Sequence, residues 1–563
     1  MTVTFSVDGR EVQVGAEDVS LLDALREVLG VRTPKDGCSP QGQCGCCTVW
    51  VDGAPRVSCV TPVRRVEGRQ VTTTGGLDEV LARRWADAFV AAGASQCGFC
   101  TPGIVLRLAA LESAAAGGRT LDEAAIRRAL AAHLCRCTGW QPIVEAAGAV
   151  LGVAVGPPRA AGASGLRRDA DAPELPAPGP VSGSAPVRDP LLGSWRAQLE
   201  GPTFQSSTTR TVLGHAGFAD DRAPPGAAVA VPRADGSYAV EATLAAARRA
   251  AGKVQGRNSP VPLRHPLALP DGDWALVLRT TWVEPAYLEP DASWCVPGGR
   301  PATPLANGGA FGGKRRSPVP ALAAELAAAR GEPVRVLWSR EDVARRGPKR
   351  PPVALALDPE GTGVLRVART PDAVGLAEYA ERVAAVAPGV RVEPVDVAGP
   401  PVSADLRGAG WAEVLVARTV LEMRAQGTAL PGAAVEVTAP SGGRARVSVP
   451  EDGPVEVEVW AGEILDAVVL RSYCIGAVHQ ALGWVRSEGI AVDDAGEVQD
   501  LTVRSYGVLP ARDTPWVNVT LHPEDRWPVN GSDAVLAATA AAAWLTDGLV
   551  PEWPTRRDAR RAR

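Results

Sequence analysis

The chain is 563 residues long with a formal net charge of -4 and a pI near 5.9, so it carries no global basic field and nucleic acid is excluded as an expected partner. At roughly 150 residues per domain, this length predicts about three or four domains with sizeable cores. No run of about 18 apolar residues occurs, and Met1-Thr2-Val3-Thr4-Phe5 reads as a strand rather than a leader, which together predict a soluble, cytoplasmic protein with no membrane association.

Thr2 to Val14 alternates apolar residues around Asp8-Gly9 and predicts a hairpin. Leu21, Leu22, Ala24, Leu25, Val28 and Leu29 then recur at helical spacing until Gly30. A cysteine-rich loop follows. Thr48 to Val51 and Arg56 to Pro62, joined through Asp52-Gly53, predict a second hairpin that carries Cys59 on an apolar strand back toward that loop. From about Asp78 the period becomes helical, with four short helices expected at about 78 to 92, 102 to 115, 121 to 132 and 140 to 151. Thr101-Pro102 supplies a cap and first-turn proline, and Thr120-Leu121-Asp122-Glu123 a capping box. Pro157 to Pro190, rich in Pro, Ala, Gly and Ser, reads as a linker. The remainder mixes strands such as Ala227 to Val231 and Trp274 to Leu278 with helices at about 241 to 251, 319 to 330 and 411 to 426; Arg556 to Arg563 reads as a solvated basic end. The expected fold class is α+β.

Nine of the eleven cysteines precede residue 138. In a reducing compartment their CxxC and CxC spacings favour metal ligation over disulfides. The first set, Cys38, Cys44, Cys47 and Cys59, reads C-x5-C-x2-C-x11-C, with Gly37, Gly42 and Gly45 letting backbone N–H groups point at cluster sulfurs. This is the pattern of a [2Fe-2S] cage. Structural zinc is the competing reading, but zinc sites favour two separated CxxC knuckles. Cys46, between two of these ligands, receives no role. The second set, Cys97, Cys100, Cys135 and Cys137, places two thiols just before one helix and two just after another, so that one end of a bundle presents all four. Zinc is again the alternative.

Gln96-Cys97-Gly98-Phe99-Cys100-Thr101-Pro102-Gly103 and Cys135-Arg136-Cys137-Thr138-Gly139 resemble the iron-sulfur portion of the xanthine dehydrogenase and aldehyde oxidase family of molybdenum hydroxylases, over residues 1 to about 155. The resemblance implies a plant-ferredoxin-like β-grasp domain over 1–76 and a four-helix [2Fe-2S] domain over 77–156. After the linker, 157–190, it implies a reduced molybdopterin-binding-like region over 191–563. It implies two [2Fe-2S] clusters and a molybdopterin carrying molybdenum, with Gln96 and Cys137 near the pterin. Asn307-Gly308-Gly309-Ala310-Phe311-Gly312-Gly313-Lys314 is similar to the family's GGGFGGK signature, in which Gly308, Gly309, Gly312 and Gly313 approach the cofactor and Phe311 sits over the metal. The same stretch has the G-x4-G-K spacing of a phosphate loop, but Arg315 stands where Ser or Thr must ligate magnesium.

Asp405-Leu406-Arg407-Gly408-Ala409-Gly410 resembles the family's substrate-loop motif, whose arginine stabilises developing charge; a lone arginine is otherwise a surface ion-pair partner. Asn530-Gly531-Ser532-Asp533-Ala534 stands where the family carries a catalytic glutamate. Asp533 is its only carboxylate, and a helix N-cap explains it equally well. Other departures are five rather than four residues between Cys38 and Cys44, Arg315 where purine-oxidising members have Glu, no histidine upstream of Leu288-Glu289-Pro290, and a short second half. His215, His265, His479 and His522 form no metal constellation, and Cys295 and Cys474 read as buried thiols. Only the linker stands where the family often carries an FAD domain. The expected function is an iron-sulfur oxidoreductase passing electrons from a molybdopterin site through two clusters to a separate FAD subunit or other acceptor. A small-molecule substrate and a homo- or hetero-oligomer are compatible with it. The rival is a non-catalytic electron-transfer or assembly subunit.

Overall fold

The computed structural model describes residues 2–15, 19–118, 120–157, 189–201, 208–252, 256, 261–304 and 309–557. Among these residues it is an α+β fold with four sheets. Nearly all of the expected linker, and Asn307-Gly308 of the glycine-rich stretch, lie outside the described residues.

The first sheet orders its strands Arg10–Gly15, Thr2–Val7, Gln70–Thr72, Thr48–Val51 and Ala54–Val57. Asp8 and Gly9 take the positive φ values, 50° and 81°, that a tight hairpin turn needs. Val3, Phe5 and Val7 point inward and meet Leu21, Ala24, Leu25, Val49 and Val71 in one small core. The helical stretch after this hairpin is a short turn, Leu21–Asp23, continued by a π-turn at Ala24–Val28. Cys59 lies on a 3-10 turn, Ser58–Val60, rather than on the strand expected there. The backbone N–H and hydroxyl of Ser58 both donate to the Cys47 carbonyl and bend the chain toward the loop.

The helices follow at Glu79–Ala92, Thr101–Ala116, Glu123–Ala129 and Gln141–Leu151, capped by Asp78 and Asp122 where those helices begin after acidic residues. In the second half, sheet two orders Tyr238–Glu241, Ala228–Pro232, Val334–Leu337 and Ala292–Cys295. Sheet three orders Val390–Asp396, Gly363–Arg369, Val353–Leu357, Leu276–Thr280 and Glu552–Trp553. Sheet four orders Val435–Thr438, Arg444–Ser448, Val455–Trp460 and Val517–His522. The strand expected from Trp274 starts two residues later, because the Trp274 indole turns back to the Pro270 carbonyl at 3.0 Å.

Two helices, Ala467–Arg486 and Ser532–Thr546, are buried on almost every face and pack together at the centre of this half. Among the described residues no helix is long and apolar enough to cross a membrane. Arg557 is no solvated end: it is buried and donates to the carbonyls of Gly489 and Ser505.

Candidate functional site

Both cysteine sets are assembled in the interior. Cys38, Cys44, Cys47 and Cys59 are buried, and Cys38 stands next to Cys44 and Cys59, while Cys59 also meets Cys47. The Gln41 amide donates to the Cys38 sulfur at 3.2 Å. Hydrogen bonds from Cys44 and Cys59 hold the Cys38 thiol well below the usual thiol range, and the same contacts push Cys44 and Cys59 up. In the second set, the sulfurs of Cys137 and Cys97 are 3.6 Å apart and Cys100 pairs with Cys135. Cys135 is drawn down to about 6, first by Cys100 and further by the Thr138 hydroxyl at 3.1 Å. Thiols gathered in pairs match a cluster whose two irons each take two thiolates, and backbone N–H groups aimed at sulfur supply the surrounding hydrogen bonds. Both donor sets fit a [2Fe-2S] group.

The two cages touch. The Leu134 amide donates to the Cys44 carbonyl at 3.0 Å, so one hydrogen bond and one peptide separate a ligand of the first cage from Cys135. His133, beside Thr48 and Gly45, is buried in the same seam, and burial pushes its imidazole down to about 3. Nothing local in the sequence marks this histidine.

The second half grips both cages. Arg340 donates to the Gly37 carbonyl at 2.8 Å, and Gln41 bonds to Glu341 at 3.0 Å and to the Leu501 carbonyl at 2.8 Å. Behind the second cage, the helix Ala467–Arg486 lies against the Cys137 carbonyl so closely that a Cβ on Gly476 would sit 1.9 Å from that oxygen. Gln96 donates to the Cys137 carbonyl at 3.1 Å and to the Ser472 hydroxyl, on the same helix, at 3.0 Å. The Leu509 carbonyl accepts from both Trp140, at 3.0 Å, and His479, at 2.9 Å. Arg136, set between two cluster cysteines, is buried and makes a two-pronged ion pair with Glu488, one prong at 2.8 Å. Arg136 was visible in the motif; Glu488, 352 residues away, carried no sequence signal.

Gly309, Phe311, Gly312 and Gly313 join the second cage to the Arg407 loop. A Cβ on Gly309 would meet Cys97 at 2.9 Å, and one on Gly312 would lie 1.8 Å from the Asp405 carbonyl oxygen. A Cβ on Gly313 would press on the Tyr287 ring at 2.8 Å. The Arg407 amide donates to the Phe311 carbonyl at 3.0 Å, and Phe311 holds φ 48°, a strained value for an aromatic residue. Lys314 is buried, 2.8 Å from Glu289, whose carboxyl burial pushes up to about 7. A lysine engaged in that way is not presented to a phosphate, so the phosphate-loop reading fails.

Arg407 is no surface residue. Its guanidinium meets Asp533 at 2.7 Å, Ser532 at 2.6 Å and Gln480 at 3.3 Å. Asp533 is not an N-cap either: it stands in the first turn of Ser532–Thr546, after the cap position Gly531. Phe311, Arg407, Arg136, Gln480, Trp484 and Glu488 line a pocket of about 50 Å³, and a space of about 10 Å³ lies between Cys97, Cys137, Glu289 and Gly309. A cavity of roughly 10–15 Å³ takes one water, so these spaces as they stand hold a few waters. The approach of Gly309 to Cys97, with the Arg407 loop beside it, is compatible with a molybdopterin next to the second cage.

Sequence-family profiles described as "2Fe-2S iron-sulfur cluster binding domain" and "[2Fe-2S] binding domain" match residues 1–76 and 73–148. The chain is 37% identical over 148 residues to the xanthine dehydrogenase iron-sulfur-binding subunit of Escherichia coli O157:H7, covering 26% of this chain and 91% of that protein. It is 40% identical over 147 residues to a nicotinate dehydrogenase subunit of Pseudomonas putida, again 26% of this chain and 91% of the relative. The solved aldehyde oxidoreductase of Desulfovibrio desulfuricans superposes with a TM-score of 0.65 over 99% of both chains at 15% identity, a likeness of fold. With two matched cluster domains and most of a xanthine dehydrogenase subunit covered, the chain belongs to the xanthine dehydrogenase and aldehyde oxidoreductase family of molybdenum hydroxylases, as an iron-sulfur oxidoreductase.

Proposed function

We propose that the chain is a two-cluster electron relay of the molybdenum hydroxylase type, built as a ferredoxin-like β-grasp domain over 1–76, a four-helix cluster domain over 77–156 and a reduced molybdopterin-domain-like region over 191–563. Cys38, Cys44, Cys47 and Cys59 would hold one [2Fe-2S] group, and Cys97, Cys100, Cys135 and Cys137 the other. Such groups, when bound, take up and give up single electrons. The observation that carries this reading is the Leu134 amide on the Cys44 carbonyl at 3.0 Å, which joins the two ligand sets through one hydrogen bond. Electrons enter on the Cys97 and Cys137 side, which faces the Phe311 and Arg407 pocket, and leave on the Cys38 side to a separate FAD subunit or another acceptor.

At the pocket, Arg407 would orient an oxygen of a small organic substrate and Asp533 would take a proton from the reacting group, both against the Phe311 wall. For that, the Arg407 and Asp533 pair must part, because each now satisfies the other. Gln96, between the Cys137 carbonyl and Ser472, would hold the cage to the helix that forms the far wall of this region. The test is an anaerobic titration of the full chain with small aldehydes and N-heterocycles, following the visible cluster absorption, with molybdenum measured on the same sample. Bleaching by a substrate supports the reading. Iron-loaded protein that bleaches with dithionite and with none of these substrates removes the substrate half and leaves the relay.

A further inference from the structure

We propose that Cys46 is a second, interchangeable ligand of the first cage, able to take the place of Cys44. The inference rests on the reading of Cys38, Cys44, Cys47 and Cys59 as cluster ligands.

The first cage contains five thiols, not four. Cys46 is fully buried beside Cys44, in a loop held by the Lys35 amide on the Cys46 carbonyl at 3.1 Å. Its sulfur packs back over the Cys44 carbonyl at 3.8 Å and is in hydrogen-bond contact with the Cys44 thiol. The position a Cβ would occupy on Gly37 is 3.1 Å from the Cys44 sulfur and 3.2 Å from the Cys46 sulfur. Both sulfurs therefore border the spot left by the missing Gly37 side chain, which the Phe99 ring also borders at 3.1 Å. The thiols outside the cages are placed differently: Cys295 is spent on the Val296 and Gly299 carbonyls, and Cys474 lies within the buried helix Ala467–Arg486.

In the exchange the Cys46 side chain turns toward the cage, while Gly45 between the two cysteines keeps its turn, with φ 71°. Cys46 gives up its proton and bonds to iron as Cys44 releases the iron and takes that proton. One iron–sulfur bond breaks, one forms, and no electron changes hands. The chain thereby gains a means of keeping the outlet cluster when one ligand is lost or oxidised.

The test compares anaerobically purified full-length parent, Cys46→Ala, Cys44→Ala, the Cys44→Ala/Cys46→Ala double variant and Cys59→Ala. Readouts are iron per chain and the electron paramagnetic resonance of each cluster, with the second-cluster signal reporting that a variant has folded. Cys44→Ala is expected to keep the iron of both cages with an altered first-cluster signal, whereas the double variant and Cys59→Ala lose the first-cage half. Cys44→Ala with only the second-cage iron overturns the proposal. Should Cys44→Ala fail to fold, Cys46→Ala still decides: its first-cage iron is expected to pass to a ferrous chelator several-fold faster than in the parent, and equal rates overturn the proposal. A parent without first-cage iron would instead overturn the cluster assignment itself, and the proposal with it.

Discussion

Glu488→Ala is the sharpest probe of how the second cage is seated. Arg136 lies between two cluster cysteines, its side chain about 8% exposed, and Glu488 on the far side is 1% exposed. Removing the carboxylate leaves a guanidinium in the interior whose one remaining partner among the described residues is the Pro285 carbonyl, at 3.0 Å from Nε. Breaking a buried pair from one side costs about 3–5 kcal/mol, because the remaining charge stays desolvated, which is a factor of roughly two hundred to five thousand in the local equilibrium. The assay is a urea titration followed by the visible circular dichroism of the clusters, which reports this region instead of the whole multidomain chain. The midpoint should fall strongly in Glu488→Ala and recover in Arg136→Met/Glu488→Leu, since an apolar pair of similar volume replaces a buried ion pair at little cost. A Glu488→Ala variant within about 0.5 kcal/mol of the parent, the size of an ordinary surface effect, would refute the reasoning.

Other consequences are as direct. Gly476→Ala should push the helix Ala467–Arg486 off the Cys137 carbonyl by at least about 1 Å, at a cost of about 1–3 kcal/mol, and shift the second-cluster resonance; an unchanged spectrum and midpoint would contradict the close approach. Burial pushes the His479 imidazole down to about 4 from an ordinary 6.5, so the unfolded chain takes up its proton first as the pH falls. Stability from this group is present above about pH 6.5 and is lost toward pH 4, by about 3 kcal/mol in full, and His479→Gln should flatten that part of a pH series of urea midpoints. Parallel pH series would count against it. Arg407→Ala and Asp533→Ala should each slow substrate-driven cluster reduction by about a hundredfold or more while leaving iron content intact, and an Asp533→Ala protein at full rate would remove that residue from the chemistry.

Much of the cluster half was legible because its chemistry is local. Ligand spacing and the Asp8-Gly9 turn are set within a few residues, whereas the caps expected at Thr101 and Thr120 fall on Cys100 and Asp122. Cys59 departed from expectation for a reason spacing cannot show: Ser58 bonds twice to the Cys47 carbonyl, eleven positions back, and curls the strand end into a turn. The second half was read only as α+β, since its strands pair across long intervals, such as Leu276–Thr280 with Glu552–Trp553. In the sequence Asp533 reads as either base or cap, and neither reading contains its pairing with Arg407, 126 residues away. Long-range ion pairs of that kind leave no periodicity in sequence, and the same holds for Arg136 with Glu488 and for Arg340 on Gly37. Arg557, inside what looked like a solvated basic tail, was missed because burial of a charge depends on carbonyls brought in from elsewhere.

The central claim is that this chain carries two [2Fe-2S] clusters in two adjoining cysteine cages. Iron and acid-labile sulfide analysis combined with electron paramagnetic resonance of the dithionite-reduced, anaerobically purified chain tests it most directly. The account predicts two irons and two sulfides for each cysteine set and two distinct signals, one lost in Cys59→Ala and the other in Cys135→Ala. Zinc in place of iron, or a single signal that either substitution abolishes, would contradict it.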